Sequence, residues 1–467
     1  MEPSDQLDPD ALAAYRSLAF TLAAKNDRPA AILAFEAYLA LAPHDADALA
    51  NLAYLLKDER RFAEARALVE RALACHPQHA EALIVDGLLH QEVGNLPAAI
   101  AAFHQAVATS PTHHAALVYL AAALLLHNRF AEALAAFAEA RSHHPNSALI
   151  RYNQGLAQLT TGDFAAGWEN YEQRAIFGAG WANNIFPAPL WQGDYSLEGR
   201  TLLIYSEQGY GDTLQFCRYA LLARDAGADV ILAVQPPLCG LLGASITDVR
   251  VMPIGTTVPP FDLYCPLLSL PRGFRTRLDT IPTPIPYLHA PTARIAEWQI
   301  ELGRGPNIGF AWSGNPQHHR HQFRTAPPEL FATLFATHHG RFFSLQKDAR
   351  PGEAAALASC PNVVDLGGRL SDFTETAAIV TALDLVITVD TAIAHLAGAL
   401  GKRVWILLPF AADWRWLADR TDSPWYPTVR LFRQPAPGAW APVFAEVRRA
   451  LAEFASPSDH PTSIGEQ

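Results

Sequence analysis

The sequence predicts an α + α/β chain: an α-solenoid over residues 1–174, a connector over 175–198, two α/β lobes over 199–300 and 301–455, and a polar tail over 456–467 expected to be disordered. Three observations predict it. Prolines recur at a fixed step of 34 through the first part. From Thr201 the chain reads strand, glycine turn, helix, strand, and from Leu383 to Pro409 it reads strand, helix, strand.

The solenoid is read from its period. Pro43, Pro77, Pro111 and Pro145 each stand 34 residues after the last, and Phe62, Leu96, Phe130 and Phe164 keep the same step. So do the small residues Ala53, Gly87, Ala121 and Gly155, and Ala65, Ala99, Ala133 and Gly167. Each unit is then a helical hairpin. Its crossing point needs a small side chain, its turn carries Asn128 or Gly162, and its end is marked by proline. Four full repeats are expected, and a fifth that changes character at Trp168. The pattern resembles the tetratricopeptide repeat (TPR). Stacked hairpins of that kind leave a concave groove that commonly holds an extended peptide, and the alternative is a purely structural array. Trp168, Tyr171, Trp181 and Trp191 predict that the connector is packed.

In the first lobe, TLLIYSEQ is expected as a strand, GYGD as a tight turn, TLQFCRYALLARDAG as a helix and ADVILAV as the next strand. The turn lacks the third glycine of a dinucleotide fingerprint, so no nicotinamide cofactor is expected. Asp212 has two readings: a helix cap completed by Gln215, or a carboxylate at a strand's carboxyl end where a general base would stand. Residues 235–300 are broken by prolines into loops and short strands, with a connector between lobes near 290–306.

The second lobe opens with NIGFAWSG as a strand, followed by a basic loop, a helix PELFATLFATHH, strands RFFSLQKD and NVVDLGG, and a capped helix SDFTETAAIVTAL. His318, His319, Arg320 and His321 crowd that loop, but no third metal ligand has a readable spacing and no metal is expected. Arg324 and Thr325 are expected to bind an anion with a planar fork and a hydroxyl. After them comes DLVITVD, a β-branched run ending in a carboxylate. TAIAHLAGALG has helical spacing and VWILLP is a second apolar run. Strands this apolar belong in a parallel sheet covered on both faces, where ligands sit outside the carboxyl ends. Asp390, Thr391, Ala392 and Ile393 lie at such an end, and a helix N-terminus there favours phosphate. The plainer reading is that Asp390 or Thr391 only caps the helix. Trp414, Trp416, Trp425 and Tyr426 are either core filler or a surface for stacking a base or sugar.

A net charge of −11 over 467 residues argues against nucleic acid as the main partner. An acidic start and the absence of a long apolar run predict a cytoplasmic protein with no membrane span. The five cysteines, scattered singly, are expected as reduced, mostly buried thiols.

The motifs EQGYGDTLQF, GFAWSGNPQHHRHQFRT, FFSLQK, VITVDTAIAHLAGALG and DSPWYPTVRLFRQ together resemble the GT-B glycosyltransferases, heptosyltransferases in particular. A TPR array ahead of such a module is similar to O-linked N-acetylglucosamine transferases and bacterial flagellin glycosyltransferases. The resemblance implies a GT-B module of two Rossmann-like lobes and transfer of a sugar from a nucleotide-sugar donor, without other cofactor, to a hydroxyl. It implies Asp212 as catalytic base. It would have Asp390, Thr391 and His395 bind the donor diphosphate with a basic residue near Arg324, and Ala392 and Thr325, read above at the anion site from the residues themselves, would join them. Glu207, Gln208, Gly209, Gly211, Ser313, Gln346 and Trp425 are candidates to line the cleft. A TPR array fits a protein acceptor, through Ser or Thr, better than a lipopolysaccharide core. The alternatives are a TPR scaffold with a catalytically silent lobe pair and a nucleotide-sugar epimerase.

Overall fold

The structure is a computed structural model that describes residues 9–177, 186–317, 320–336, 340–358 and 360–454. The tail at 456–467, Trp181, His318 and His319 lie outside the described residues. The chain divides into two compact units, Met1–Ala157 and Gln158–Gln467.

Among its described residues the first unit contains helices and no strand: α1 (Pro9–Ala24), α2 (Arg28–Leu41), α3 (Ala46–Asp58), α4 (Phe62–Cys75), α5 (Ala80–Glu92), α6 (Leu96–Thr109), α7 (His114–Leu126), α8 (Phe130–His143) and the start of α9 (Ala148–Thr160). The 34-residue step fixes more than the prolines. Asn26, Arg60, Gly94 and Asn128 turn the chain inside successive hairpins at φ of 60°, 61°, 75° and 58°, left-handed values suited to Gly and Asn and strained for Arg60. Ala53, Ala65, Ala99, Ala121 and Ala133 are fully buried at the crossings. At Gly87 a Cβ would lie 2.4 Å from the Phe103 ring, so glycine is required there. The helices that follow the prolines are capped at the same interval: Asp45, His79, His113 and Ser147 accept from Ala48, Ala82, Ala116 and Ile150 N–H. Because His79 and His113 accept at Nδ1, their protons lie on Nε2, which faces Asp47 at 3.0 Å and Glu81 at 2.8 Å.

The second unit opens with α10 (Phe164–Tyr171) and then builds two parallel sheets. In chain order the first contains β1 (Thr201–Tyr205), α11 (Tyr210–Phe216), α12 (Arg218–Asp225), β2 (Asp229–Val234), α13 (Cys239–Ser245), β3 (Val249–Pro253), β4 (Leu263–Pro266) and α14 (Leu270–Gly273). Its strand order is β3-β2-β1-β4, so the order reverses between β1 and β4. After α15 (Thr292–Leu302) come β5 (Asn307–Ala311), α16 (His321–Arg324), α17 (Pro328–Ala336), β6 (Arg341–Ser344), α18 (Pro351–Ala358), β7 (Val363–Asp365), α19 (Phe373–Ala382), β8 (Leu385–Val389), α20 (Ala392–Ala399), β9 (Val404–Leu408), β10 (Val429–Arg433) and α21 (Trp440–Phe454). This sheet runs β10-β9-β8-β5-β6-β7 and reverses between β5 and β8. Ligand crevices in open α/β sheets form at such reversals.

The structure corrects four expectations. The helix after β1 begins at Tyr210, so GYGD is its first turn rather than a turn before it. The segment 292–302, expected as the end of the first lobe and its connector, is a helix packed on α19 of the second. Arg294 and Trp298 reach Glu375 at 3.0 and 2.9 Å. The last repeat helix, α10, falls in the second unit, where Trp168 Nε1 donates to Thr276 O at 3.0 Å and Arg272 pairs with Glu169. Of the free cysteines, only Cys217 and Cys265 are fully buried, and Cys75 is exposed.

Two features tie the second unit together. Phe164, Trp168, Tyr171, Phe216, Trp414 and Trp425 form one buried aromatic cluster drawn from α10 and both lobes. Beside it Arg218, 2% exposed, donates to Trp425 O (3.0 Å), Pro282 O (3.2 Å) and Tyr287 Oη (2.8 Å), with Tyr426 below its guanidinium. Among the described residues no helix is long and apolar enough to cross a membrane.

Candidate active site

Both strand-order reversals present candidate residues at their carboxyl ends. After β1 the chain passes Glu207 and Gln208 and enters α11 with Gly209 as N-cap. Gly209 N–H donates to Asp212 Oδ2 at 2.9 Å, so Asp212 holds the helix start from its third position and Gln215 takes no part in the cap. Gln235, at the end of β2, braces the loop by donating to Gln208 O (2.6 Å) and accepting from Thr213 Oγ1 (2.9 Å). Glu207 is buried against Arg174 at 2.8 Å. Burial pushes its carboxyl above the ordinary range, against the pull of Arg174, and it does not face solvent as an alternative base would.

On the second lobe Ser313 follows β5, Gln346 follows β6 and Asp390 follows β8. Ser313 N–H donates to Gln346 Oε1 at 3.1 Å, and Ser313 Oγ lies 3.4 Å from Thr325 Oγ1. Arg324 donates to Asp390 O and stands 3.3 Å from its carboxylate. Burial raises the Asp390 carboxyl, with Arg324 pulling the other way. Thr391 occupies the N-cap of α20, yet its hydroxyl makes no capping bond and instead meets Thr388 Oγ1 at 3.2 Å. His395 sits one turn into α20, stacked on Trp416 with ring centroids 5.3 Å apart and with Nδ1 3.0 Å from Tyr426 Oη. Burial pushes its pKa down to about 3, so it is neutral and brings no charge to an anion.

The two sets meet. α11 packs on α20, and a Cβ on Gly211 would lie 2.9 Å from His395 Cδ2 and 3.6 Å from Ala392 Cα. Glycine at 211 is what allows the Asp212 turn to approach the start of α20. The sequence pattern missed Arg415, which arrives from the loop after β9 and is 6% exposed. Its guanidinium donates to Asp212 Oδ1, to Gln215 Oε1 (2.9 Å) and to Asp413 Oδ1 (2.9 Å), over the face of Trp414 at 4.3 Å. Its one local signal is the Asp-Trp-Arg-Trp setting, where flanking aromatics bury a cation that must then find acids. The structure thus gathers Asp212, Gly209, Gly211, Ala392 and His395 at one contact. Asp390, Thr391, Arg324, Thr325, Ser313 and Gln346 stand along the edge of the second sheet. Trp425 is placed otherwise, 1% exposed in the aromatic cluster, where Phe164 stacks on it at 5.9 Å. Among the described residues no group of three or more His, Cys, Asp or Glu could hold a metal ion.

Comparison with known proteins fits this architecture. The tetratricopeptide repeat family matches residues 17–80 and 91–159, and glycosyltransferase family 9 (heptosyltransferase) matches residues 329–407. Protein FlbA of Caulobacter vibrioides is 28% identical over 358 residues, which is 70% of this chain and 59% of FlbA. The chain thus spans less than two thirds of that relative's length. Among solved structures, a thermophilic TPR protein of Thermus thermophilus is 18% identical, covering 35% of this chain and 90% of its own, with a TM-score of 0.33. YrrB, a TPR protein with an unusual peptide-binding site, is 19% identical, covering 34% and 82%, with a TM-score of 0.28. The chain carries tetratricopeptide repeats in its N-terminal part and, in its C-terminal part, a domain of the glycosyltransferase family 9 (heptosyltransferase) kind.

Proposed function

We propose that the chain transfers a sugar from a nucleotide-sugar donor to a hydroxyl, with Ser or Thr of a protein as the acceptor class, and that it works in the cytoplasm. The observation that carries the reading is the start of α20. Its N-cap hydroxyl is turned away to Thr388, Ala392 and Ala394 in its first turn are small, and it lies at a strand-order reversal against the Asp212 turn. The donor diphosphate would take the first N–H groups of α20, and Arg324 would share the leaving group's charge, so that the step needs no metal. The acceptor oxygen forms its bond to the anomeric carbon as its proton passes to Asp212. The sugar–phosphate bond breaks and its electron pair leaves with the diphosphate. The repeat array suits an extended peptide. A second reading has one observation in its favour: both oxygens of Asp212 are already engaged, by Gly209 and Arg415, as in a lobe pair kept for binding alone.

The deciding experiment uses UDP, ADP, GDP and CMP sugars with the full chain. Turnover of one of them, by hydrolysis or transfer, supports the enzyme, and binding without turnover favours the silent lobes. Ala392→Trp should abolish nucleotide binding and leave the fold intact. Unchanged affinity by calorimetry would remove α20 as the donor site.

A further inference from the structure

Arg415 is the cation that joins the two halves of the site. Its three bonds reach Asp212 and Gln215 on α11 and Asp413 in its own loop, and they leave further N–H groups of the guanidinium fork free to meet a phosphate oxygen. The other cations nearby already carry protein partners: Arg324, which would share the leaving group's charge, also holds Asp390, and Arg320 donates to Ala411 O at 2.9 Å, so Arg415 is the further cation within the contact. A diphosphate at the start of α20 would arrive beside the buried Asp390 and near Asp413, where an anion is unfavourable without a cation of its own. The Asp212 turn already touches that helix start, through Gly211 against Ala392 and His395.

We propose that Asp212 and the donor diphosphate compete for Arg415: the guanidinium that holds Asp212 Oδ1 is drawn to the phosphates, and that oxygen, released, is open to the acceptor hydroxyl. The proposal rests on the donor-site reading above. Nε and one terminal nitrogen can stay on Gln215 and Asp413 while the other terminal nitrogen changes partner. Both Asp212 oxygens are engaged before the donor arrives, so its arrival would itself free one of them to accept the hydroxyl's proton. The coupling is reciprocal: whatever the phosphates cost Asp212, removing Asp212's charge returns to the phosphates.

The test is calorimetric binding of UDP, ADP, GDP and CDP to the full-length wild type, Asp212→Asn, Arg415→Gln, the double variant and Ala392→Trp. We expect Asp212→Asn to bind the preferred diphosphate tighter by about fivefold or more. In the Arg415→Gln background the same change should alter affinity by less than about twofold. Arg415→Met, which removes the charge and keeps much of the volume, serves should the glutamine variant fail to fold. A wild type that binds and an Ala392→Trp variant that does not, with Asp212→Asn no tighter than wild type, would overturn the competition and leave the donor site standing. A gain from Asp212→Asn that survives without Arg415 would also overturn it, since repulsion alone would then explain it. If Ala392→Trp binds as well as wild type, or no diphosphate binds wild type, the donor-site reading falls and the competition with it.

Discussion

Asp212 holds the start of α11 and, in the proposed reaction, takes a proton, and asparagine separates these roles. Asp212→Asn still accepts from Gly209 N–H but loses the bond to Arg415, for a stability loss of roughly 1–2 kcal/mol. Transfer should fall a hundredfold or more, on the order expected for a missing general base. A variant that folds and transfers at the wild-type rate would make Asp212 only a helix brace. His395 gives a pH prediction. Its folded pKa, near 3, lies below the unfolded value near 6.5, so the unfolded chain binds the extra proton between them. The stability tied to neutral His395 is therefore complete above about pH 6.5 and is lost as pH falls toward 3. Between pH 7 and 5 this one group removes roughly 2 kcal/mol, and His395→Phe should flatten that slope in denaturant titrations. Asp212 and Asp390 were legible because each follows a strand-like run and precedes a helix-like one. Arg415 was not, because its partner Asp212 lies far off in the chain.

At the scale of elements, the contact of α11 with α20 depends on one missing side chain. Gly211→Ala places a methyl 2.9 Å from His395 Cδ2, and α20 must give way. A stability loss of roughly 1–3 kcal/mol is expected, with weaker diphosphate binding. Gly209→Ala, whose nearest contact is Asp212 Oδ2 at 3.3 Å, should cost less. Equal melting temperatures for the two variants would show that the helices are not held by that approach. The repeat period gave the small crossing residues and the turn at Asn128, since every unit solves the same packing problem, whereas Arg60 in a left-handed turn is hidden by its residue type and the caps at Asp45, His79, His113 and Ser147 went unread. Prolines misled in the other direction. They suggested loops around 290–306, whereas 292–302 is a helix because Trp298 and Arg294 find Glu375 on α19, a partner no local pattern shows.

At the scale of the molecule, two parallel sheets and a repeat array were legible from alternating strand and helix signals. How the lobes are fastened was not. Arg218 is buried with carbonyl oxygens, a hydroxyl and aromatic faces as partners, and those partners come from both lobes. A cation in that setting cannot keep half of its shell: if either lobe loosens, the charge is left without solvent or partner. The two sheets should therefore melt as one cooperative block. In differential scanning calorimetry the repeats contribute their own transition. The block should give a single peak whose calorimetric and van't Hoff enthalpies agree. Arg218→Met, which removes the charge and keeps most of the volume, should broaden that peak or split it in two, whereas a wild-type trace already showing two peaks for the lobes would mean that Arg218 fastens nothing.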